Sequence, residues 1–365
     1  MVKVAIDVGP LHGHRTGIGN AVAWTIEAFS DKDSGVTDIE LYQYLTSMRA
    51  RRLKTQRRIP IPAAMALRMW SHRSPPIDRI IGSPDLVHGT NYVVPPTACP
   101  QLVSVYDCWF LDRPGDAAAD VQRAGAVLRH AVDGGAHVVT SSDATTERAR
   151  ELLSTDRVRT IHLGPPAPLA PTWSRPSSLP DLGTKPFVLS LGTLERRKNV
   201  PTLIAAFARL AREHGSVRLV IAGAVGNDLE PITRAIAKLD PAVAERVLRT
   251  GPVDQQTKSW LLANARTLAY PSLDEGFGFP ILEAQQIGTP VVASTAGSIP
   301  EVAGSAALLS PPLDSEALAA NLFWVLTNDD MHAKLIRLGR SNLLRFSWAT
   351  TAEQLAATYR ELAEL

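Results

Sequence analysis

The stretch Pro271-Ser272-Leu273-Asp274-Glu275-Gly276-Phe277-Gly278-Phe279-Pro280-Ile281-Leu282-Glu283 constrains this chain more than any other. A short apolar run before it, Thr267 to Tyr270, reads as a buried strand. Pro280 falls near the first turn of a helix, where its missing N–H costs nothing, and Gly288 stands where a helix C′ residue would be. Strand, glycine-rich turn and helix therefore follow one another. The turn's amides and the positive end of the helix converge on one spot that favours an anion, and a phosphate is the natural guest. Two acids frame the turn, Glu275 and Glu283, with seven residues between them. Carboxylates are poor neighbours for phosphate but good acceptors for sugar hydroxyls. One on each side of an anion pocket suggests hydroxyls flanking phosphates, as in a nucleotide sugar. The spacing fits a helix-start acid and a solvated helix residue equally well. Gly276 and Gly278 tilt it toward close approach of the backbone to a ligand.

Arg197 and Lys198 stand just past the end of another apolar run, Pro186 to Leu191. Ligands of open α/β sheets bind at that edge. Cations at a helix start are unfavourable without an anion, so the pair points to a diphosphate, which Arg grips bidentately and Lys as a point charge. Arg196 is a less certain participant.

Glu275 to Glu283 resembles the acid-x7-acid motif of retaining glycosyltransferases of family 4, which have the GT-B architecture. Leu191-Gly192-Thr193-Leu194-Glu195-Arg196-Arg197-Lys198-Asn199 resembles that family's diphosphate-binding strand end, and Thr16-Gly17-Ile18-Gly19-Asn20 its N-terminal glycine loop. His88-Gly89-Thr90-Asn91-Tyr92 and Ser298-Ile299-Pro300-Glu301-Val302-Ala303-Gly304 fit the mannosyltransferase-like branch. The resemblance covers nearly the whole chain in order. It implies an α/β fold of two doubly wound Rossmann-like domains whose parallel sheets face an interdomain cleft.

The 365 residues suffice for two domains, and 45% are apolar. A net charge of +2 argues against a nucleic-acid binder. Cys99 and Cys108 form neither a metal-ligand pattern nor a disulfide framework, which fits a reducing, cytoplasmic setting. Neither a secretory signal nor an apolar run of the ~20 residues of a membrane span is expected.

Val2 to Val8 reads as the first strand, Gly9 to Gly19 as a loop, and Asn20 to Phe29 as a helix. His12 and His14 read as solvated loop residues. Asp31-Lys32-Asp33 matches an acid-x-acid metal motif formally, but it sits in a polar turn rather than after a buried strand. Four further runs, Asp85 to His88, Leu102 to Tyr106, Ala136 to Ser141 and Arg157 to His162, alternate with helices at 117–132 and 144–153, the second capped by Ser142 or Asp143. Gly164 to Lys185 holds six prolines and reads as a semi-rigid linker. The expected domains are 1–165, with a helix at about 348–365 crossing back to it, a linker at 166–185, and 186–347. Helices are expected at 200–213, 229–239, 254–263, 314–327, 329–345 and 348–364, and strands at 217–222, 246–250, 266–270 and 290–293.

Residues 49–58 carry six basic residues and no acid. Met65, Leu67, Met69 and Trp70 follow, beside Arg68, His72 and Arg73. Basic charge with Met and Trp is the profile of a segment drawn to anionic lipid, and equally of a solvated loop and a docked helix. The expectation is peripheral contact of 49–73 with the inner face of a membrane.

The resemblance implies a metal-independent hexosyltransferase with no cofactor beyond its nucleotide-sugar donor. Arg197, Lys198 and the backbone at Gly276, Phe277 and Gly278 hold the donor diphosphate and stabilise the leaving phosphate. Thr193 and the glycine loop at Gly17 and Gly19 close on the same donor. Glu275 holds hydroxyls of the transferred sugar, Glu283 those of the ribose, and the turn Gly251-Pro252-Val253 the base. Relatives often carry a His at the strand end that here reads Val105-Tyr106-Asp107. Tyr106 and Asp107 are active-site candidates by position, yet a tyrosine hydroxyl is a poor base at neutral pH. The branch favours GDP-mannose as donor and a glycan or lipid-linked acceptor in polysaccharide or cell-envelope assembly. The alternatives are a UDP- or dTDP-sugar enzyme of the same family and an inactive nucleotide-sugar-binding paralogue.

Overall fold

The computed structural model describes residues 1–13, 16–31, 34–48, 56–72, 74–169, 174–177, 179–180, 182 and 185–365. His14, Lys32, Asp33, Arg73 and most of the basic segment, 49–55, lie outside them. The chain divides into two compact units, Met1–Gly164 with Phe346–Leu365, and Pro165–Arg345.

The first unit is built on seven parallel strands: β1 Val2–Asp7, β2 Ile39–Thr46, β3 Arg57–Ile59, β4 Leu86–Gly89, β5 Gln101–Val105, β6 His137–Thr140 and β7 Val158–Thr160. Their order is β3-β2-β1-β4-β5-β6-β7. Side chains alternate across it, so the central strands feed two cores. Ala5, Val87, Val103 and Val138 face one core, which includes Trp70, Phe110 and Leu128. Val4, Leu86, Leu102 and Val139 face the other, filled by Leu355, Tyr359 and Leu362 of the last helix, Trp348–Ala363.

The second unit has six parallel strands: β8 Phe187–Leu191, β9 Arg218–Ala222, β10 Val247–Gly251, β11 Thr267–Tyr270, β12 Val291–Ser294 and β13 Ala307–Ser310, ordered β10-β9-β8-β11-β12-β13. This is the doubly wound 3-2-1-4-5-6 order, with its reversal point between β8 and β11. Val188, Leu219, Ala269 and Val292 meet the helices on one face, while Leu189, Val220, Leu268 and Val291 serve the other. Leu169, Leu179 and Leu182, from the proline-rich segment, pack into that second core.

Several expected elements differ. β2, β3 and β13 were not anticipated. β2 does show alternation, in Ile-Glu-Leu-Tyr-Gln-Tyr-Leu-Thr, but β3 and β13 are too short for a period to stand out. Gly17 and Gly19 do not lie in a loop: the helix starts at Gly17, with Thr16 at its N-cap, and runs to Ser30. Ser142, not Asp143, caps helix Asp143–Leu153, its hydroxyl accepting from the Thr145 amide.

Candidate active site in the second unit

The reversal of strand order brings the ends of β8 and β11 side by side. Past β8 the chain turns through Gly192 and a short 3-10 helix, Arg196–Lys198. Past β11 it runs through Pro271 to Gly278. The two loops are tied together by the Leu273 amide, which donates to the Arg197 carbonyl at 2.7 Å. Asn199, in the left-handed region at φ 54°, donates from Nδ2 to the carbonyls of Pro271 at 3.0 Å and Pro312 at 2.6 Å. Close approach needs glycine here, since a Cβ on Gly223, at the end of β9, would lie 1.8 Å from the Gly192 carbonyl oxygen.

Three charged side chains meet where the loops touch. Arg197 Nη1 donates to Glu275 Oε2 at 2.6 Å and Lys198 Nζ to Glu275 Oε1 at 2.5 Å. Lys198 Nζ also donates to the Tyr270 hydroxyl at 2.9 Å and sits 4.9 Å from that ring's centroid. Arg197 reaches the Asp274 carbonyl at 3.2 Å and the more exposed Glu195 at 3.3 Å. The side chains of Arg197, Lys198 and Glu275 are only 17%, 14% and 6% exposed, so these charges act through little water. Burial pushes the Glu275 carboxyl up, but Arg197 and Lys198 outweigh it and hold the group at about 2. Burial draws the Lys198 ammonium down, and Glu275 opposes it. Burial also keeps the Tyr270 hydroxyl protonated, well above its ordinary value. The cluster is a preorganised cationic pair that shares one buried carboxylate, Glu275, with the more exposed Glu195 on Arg197 alone.

Gly278 fills the N-cap position of helix Phe279–Ile287 at φ 95°, a conformation that favours glycine, and Gly288 closes the helix at φ 87°. Gly276 and Phe277 are buried, with Phe277 packed edge-on to Phe279 at 5.2 Å. Glu283, in the second turn of this helix, is buried against Lys258 of helix Gln255–Asn264, Nζ to Oε1 2.6 Å. Thr193 is exposed, and Val253 is half-buried against the core. The structure thus brings Arg197, Lys198 and Glu275 into one cluster and gives Glu283 a separate partner. Lys258 and Tyr270 were missed by the sequence reading. Lys258 carried a legible signal, because a lysine in the first turn of a helix opposes the helix dipole.

In the first unit, Tyr106 and Asp107 follow β5. The Tyr106 hydroxyl is pushed up to about 12 by burial, against a hydrogen bond with Ser104, so it stays protonated. Tyr106 lines a cavity of about 20 Å³ with His88, Thr90 and Ser104. The His88 ring nitrogens contact the Tyr359 and Ser104 hydroxyls at 2.7 and 2.8 Å. Burial pushes His88 down to about 3, which leaves the imidazole neutral. Asp107 accepts from the Tyr92 hydroxyl at 3.3 Å and the Trp109 amide at 3.2 Å. Tyr92 holds φ 62°, uncommon for an aromatic residue. Asp7, at the end of β1, was also missed. Burial pushes it up to about 6, although the Gly9 amide donates to it at 2.9 Å.

Two parallel sheets, the second with charged side chains gathered at its reversal point, define a pair of Rossmann-like α/β units. Residues 174–342 match the family model described as glycosyl transferases group 1. The chain is 29% identical to O-antigen chain mannosyltransferase B of Escherichia coli over 287 residues, 76% of this chain and 74% of that protein. It is 35% identical to MMP alpha-(1->4)-mannosyltransferase of Mycolicibacterium hassiacum over 171 residues, 45% of this chain and 40% of that one. Sucrose-phosphate synthase of Thermosynechococcus elongatus superimposes with a TM-score of 0.72 at 19% identity, over 99% of each chain. Residues 174–342 thus resemble the group 1 glycosyl transferases, and the chain has the GT-B architecture of the solved structures it resembles. The match spans less than half the length of several curated relatives, the M. hassiacum enzyme among them.

Proposed function

We propose that the protein transfers a mannosyl residue from GDP-mannose, with retention of anomeric configuration, to a hydroxyl of a glycan or lipid-linked acceptor in polysaccharide or cell-envelope assembly. The observation that carries this reading is the Arg197–Lys198–Glu275 cluster at the reversal point of the second sheet. In the proposed reaction the diphosphate takes the two cations, and charge developing on the leaving phosphate is stabilised there, without a metal. Glu275 then accepts from hydroxyls of the transferred sugar, and Glu283 from the ribose. The acceptor is assigned to the strand ends of the first unit, around Thr90, Tyr106 and Asp107. The similarity to an O-antigen chain mannosyltransferase supports both the sugar and the kind of acceptor.

A thermal-shift series over GDP, UDP, dTDP and their sugars tests the donor. GDP-mannose at 100 times its Kd is expected to stabilise the protein by about 2.7 kcal/mol, read as a higher melting temperature. A shift with UDP or dTDP compounds alone would reassign the base. A response to none of them would remove the donor site. Mass spectrometry of the donor after incubation with acceptor extract separates an enzyme from an inactive binder.

The proposal extends to membrane contact. In helix Ala63–Trp70 the face Met65, Arg68, Met69 and the following His72 is exposed, while Ala66 and Trp70 anchor the other face. Arg57 and Arg58 adjoin in β3. No helix among the described residues is long and apolar enough to cross a membrane. Apolar tips among arginines suit the surface of an anionic bilayer. Co-sedimentation is expected to be stronger with vesicles containing anionic lipid, and weaker after Arg51, Arg52, Arg57 and Arg58 are changed to Gln. Equal partitioning onto neutral and anionic vesicles would refute the contact.

A further inference from the structure

The last helix carries Tyr359 into a core of the first unit, where the residue is fully buried. Its ring is held between Phe29, stacked at 5.7 Å, and His88, edge-on at 5.7 Å. Among the described residues the Tyr359 hydroxyl has one hydrogen-bond partner, His88 Nδ1 at 2.7 Å. A buried O–H without an acceptor costs its whole desolvation, whereas an oxygen keeps a bare lone pair at less cost. Tyr359 therefore donates and Nδ1 accepts. The proton of the His88 ring then sits on Nε2 and is donated to Ser104 Oγ at 2.8 Å. Ser104 and Tyr106 lie two residues apart, on one face of β5 and its continuation. They line one cavity with His88, and their hydroxyls are hydrogen-bonded. Since Ser104 accepts from His88, it spends its own proton on the Tyr106 oxygen.

Every proton in the chain Tyr359, His88, Ser104, Tyr106 thus runs one way. The last one, on Tyr106, is left for a ligand at the carboxyl edge of the sheet, where ligands of such folds bind. The chain does not act as a base. Burial pushes His88 down to about 3, so its imidazole takes up no proton at neutral pH. What the chain does is orient. We propose that Tyr359, His88 and Ser104 are positioning residues that commit the Tyr106 hydroxyl to donating a hydrogen bond to an oxygen of the acceptor substrate. The group recognised there is a saccharide ring or hydroxyl oxygen, which has a lone pair to offer, and not an ammonium, which has none. The proposal rests on the acceptor reading of the first unit and deepens it.

Nitrogen-15 NMR of the full chain labelled at histidine, with His88→Gln to assign the signal, reads the tautomer without any ligand. The proton is expected on Nε2. A proton on Nδ1 reverses the chain and overturns this inference, while the acceptor reading stands. Steady-state transfer from GDP-mannose to mannose oligosaccharides and to a cell-envelope glycolipid extract tests the consequence. Tyr106→Phe is expected to raise the acceptor KM about tenfold, the value of one hydrogen bond, and Ser104→Ala about fivefold, with GDP affinity unchanged in both. Ser104→Thr, which keeps the hydroxyl, is expected to restore most of the wild-type KM. The double variant of Ser104→Ala with Tyr106→Phe is expected to be no worse than Tyr106→Phe alone, because the serine acts only through the tyrosine. A Ser104→Ala change that leaves KM unaltered, or that adds its full factor in the Tyr106→Phe background, overturns the positioning role. An unaltered KM in Tyr106→Phe, or a wild type that transfers to none of these acceptors, overturns the acceptor reading and this inference with it. Should Ser104→Ala fail to fold, Tyr359→Phe removes the first hydroxyl of the chain, and the same pair of outcomes decides.

Discussion

Glu275→Ala is expected to cost about 3–5 kcal/mol of unfolding free energy, because it leaves two buried cations side by side with only the more exposed Glu195, on Arg197, as counter-charge. Arg197 and Lys198 both end on this carboxylate, at 2.6 and 2.5 Å. Glu275→Gln, which keeps the shape, isolates the electrostatic part. The folded-state pKa of Glu275 lies at about 2, below its ordinary 4.5. Such a group contributes stability that is fully present above the unfolded value and is lost as pH falls through the folded one. A shift of this size corresponds to roughly 3 kcal/mol. Urea unfolding of the wild type should therefore lose stability between about pH 4.5 and pH 2, and Glu275→Gln should lack that component. Parallel pH profiles for the two proteins would show that the cations do not hold the carboxylate as the geometry indicates.

Lys198→Ala is expected to lower kcat/KM for sugar transfer by at least about thirtyfold, or ~2 kcal/mol of transition-state stabilisation. The loss should appear mainly in kcat, because the charge on the leaving phosphate grows as the bond to the sugar breaks. Folding should suffer less than in Glu275→Ala, since Arg197 still satisfies the carboxylate. Steady-state transfer assays with circular dichroism as a folding check decide the matter. Turnover like that of the wild type in Lys198→Ala would remove the lysine from the proposed mechanism.

The two predictions pull on one cluster from opposite sides. Glu275 neutralises the same cations that the proposed diphosphate would take, so the stability it provides and the anion affinity of the site are linked. The buried Tyr270 hydroxyl adds a neutral acceptor to Lys198, which holds the ammonium in place without cancelling its charge.

The local pattern alone determined much of this protein. Short apolar runs named β1, β4 to β7 and β8 to β12, since strands buried on both faces of a parallel sheet carry little polar alternation. Gly278, Pro280 and Gly288 marked both ends of helix Phe279–Ile287, because their backbone preferences are local properties. The family resemblance rested on motifs of the same local kind. Only the tertiary structure decided which charges meet. Lys198 and Glu275 are 77 residues apart in the chain, and Lys258 and Glu283 are 25 apart. Each pair is made by the order of strands in the sheet, which follows from long-range packing and leaves no periodic trace in sequence. The same holds for the last helix, whose Tyr359 reaches His88 across 271 residues to fill one face of the first sheet. Burial sets the direction of several key pKa values, notably those of Asp7, His88, Tyr106 and Lys198, and burial does not exist until the chain has folded.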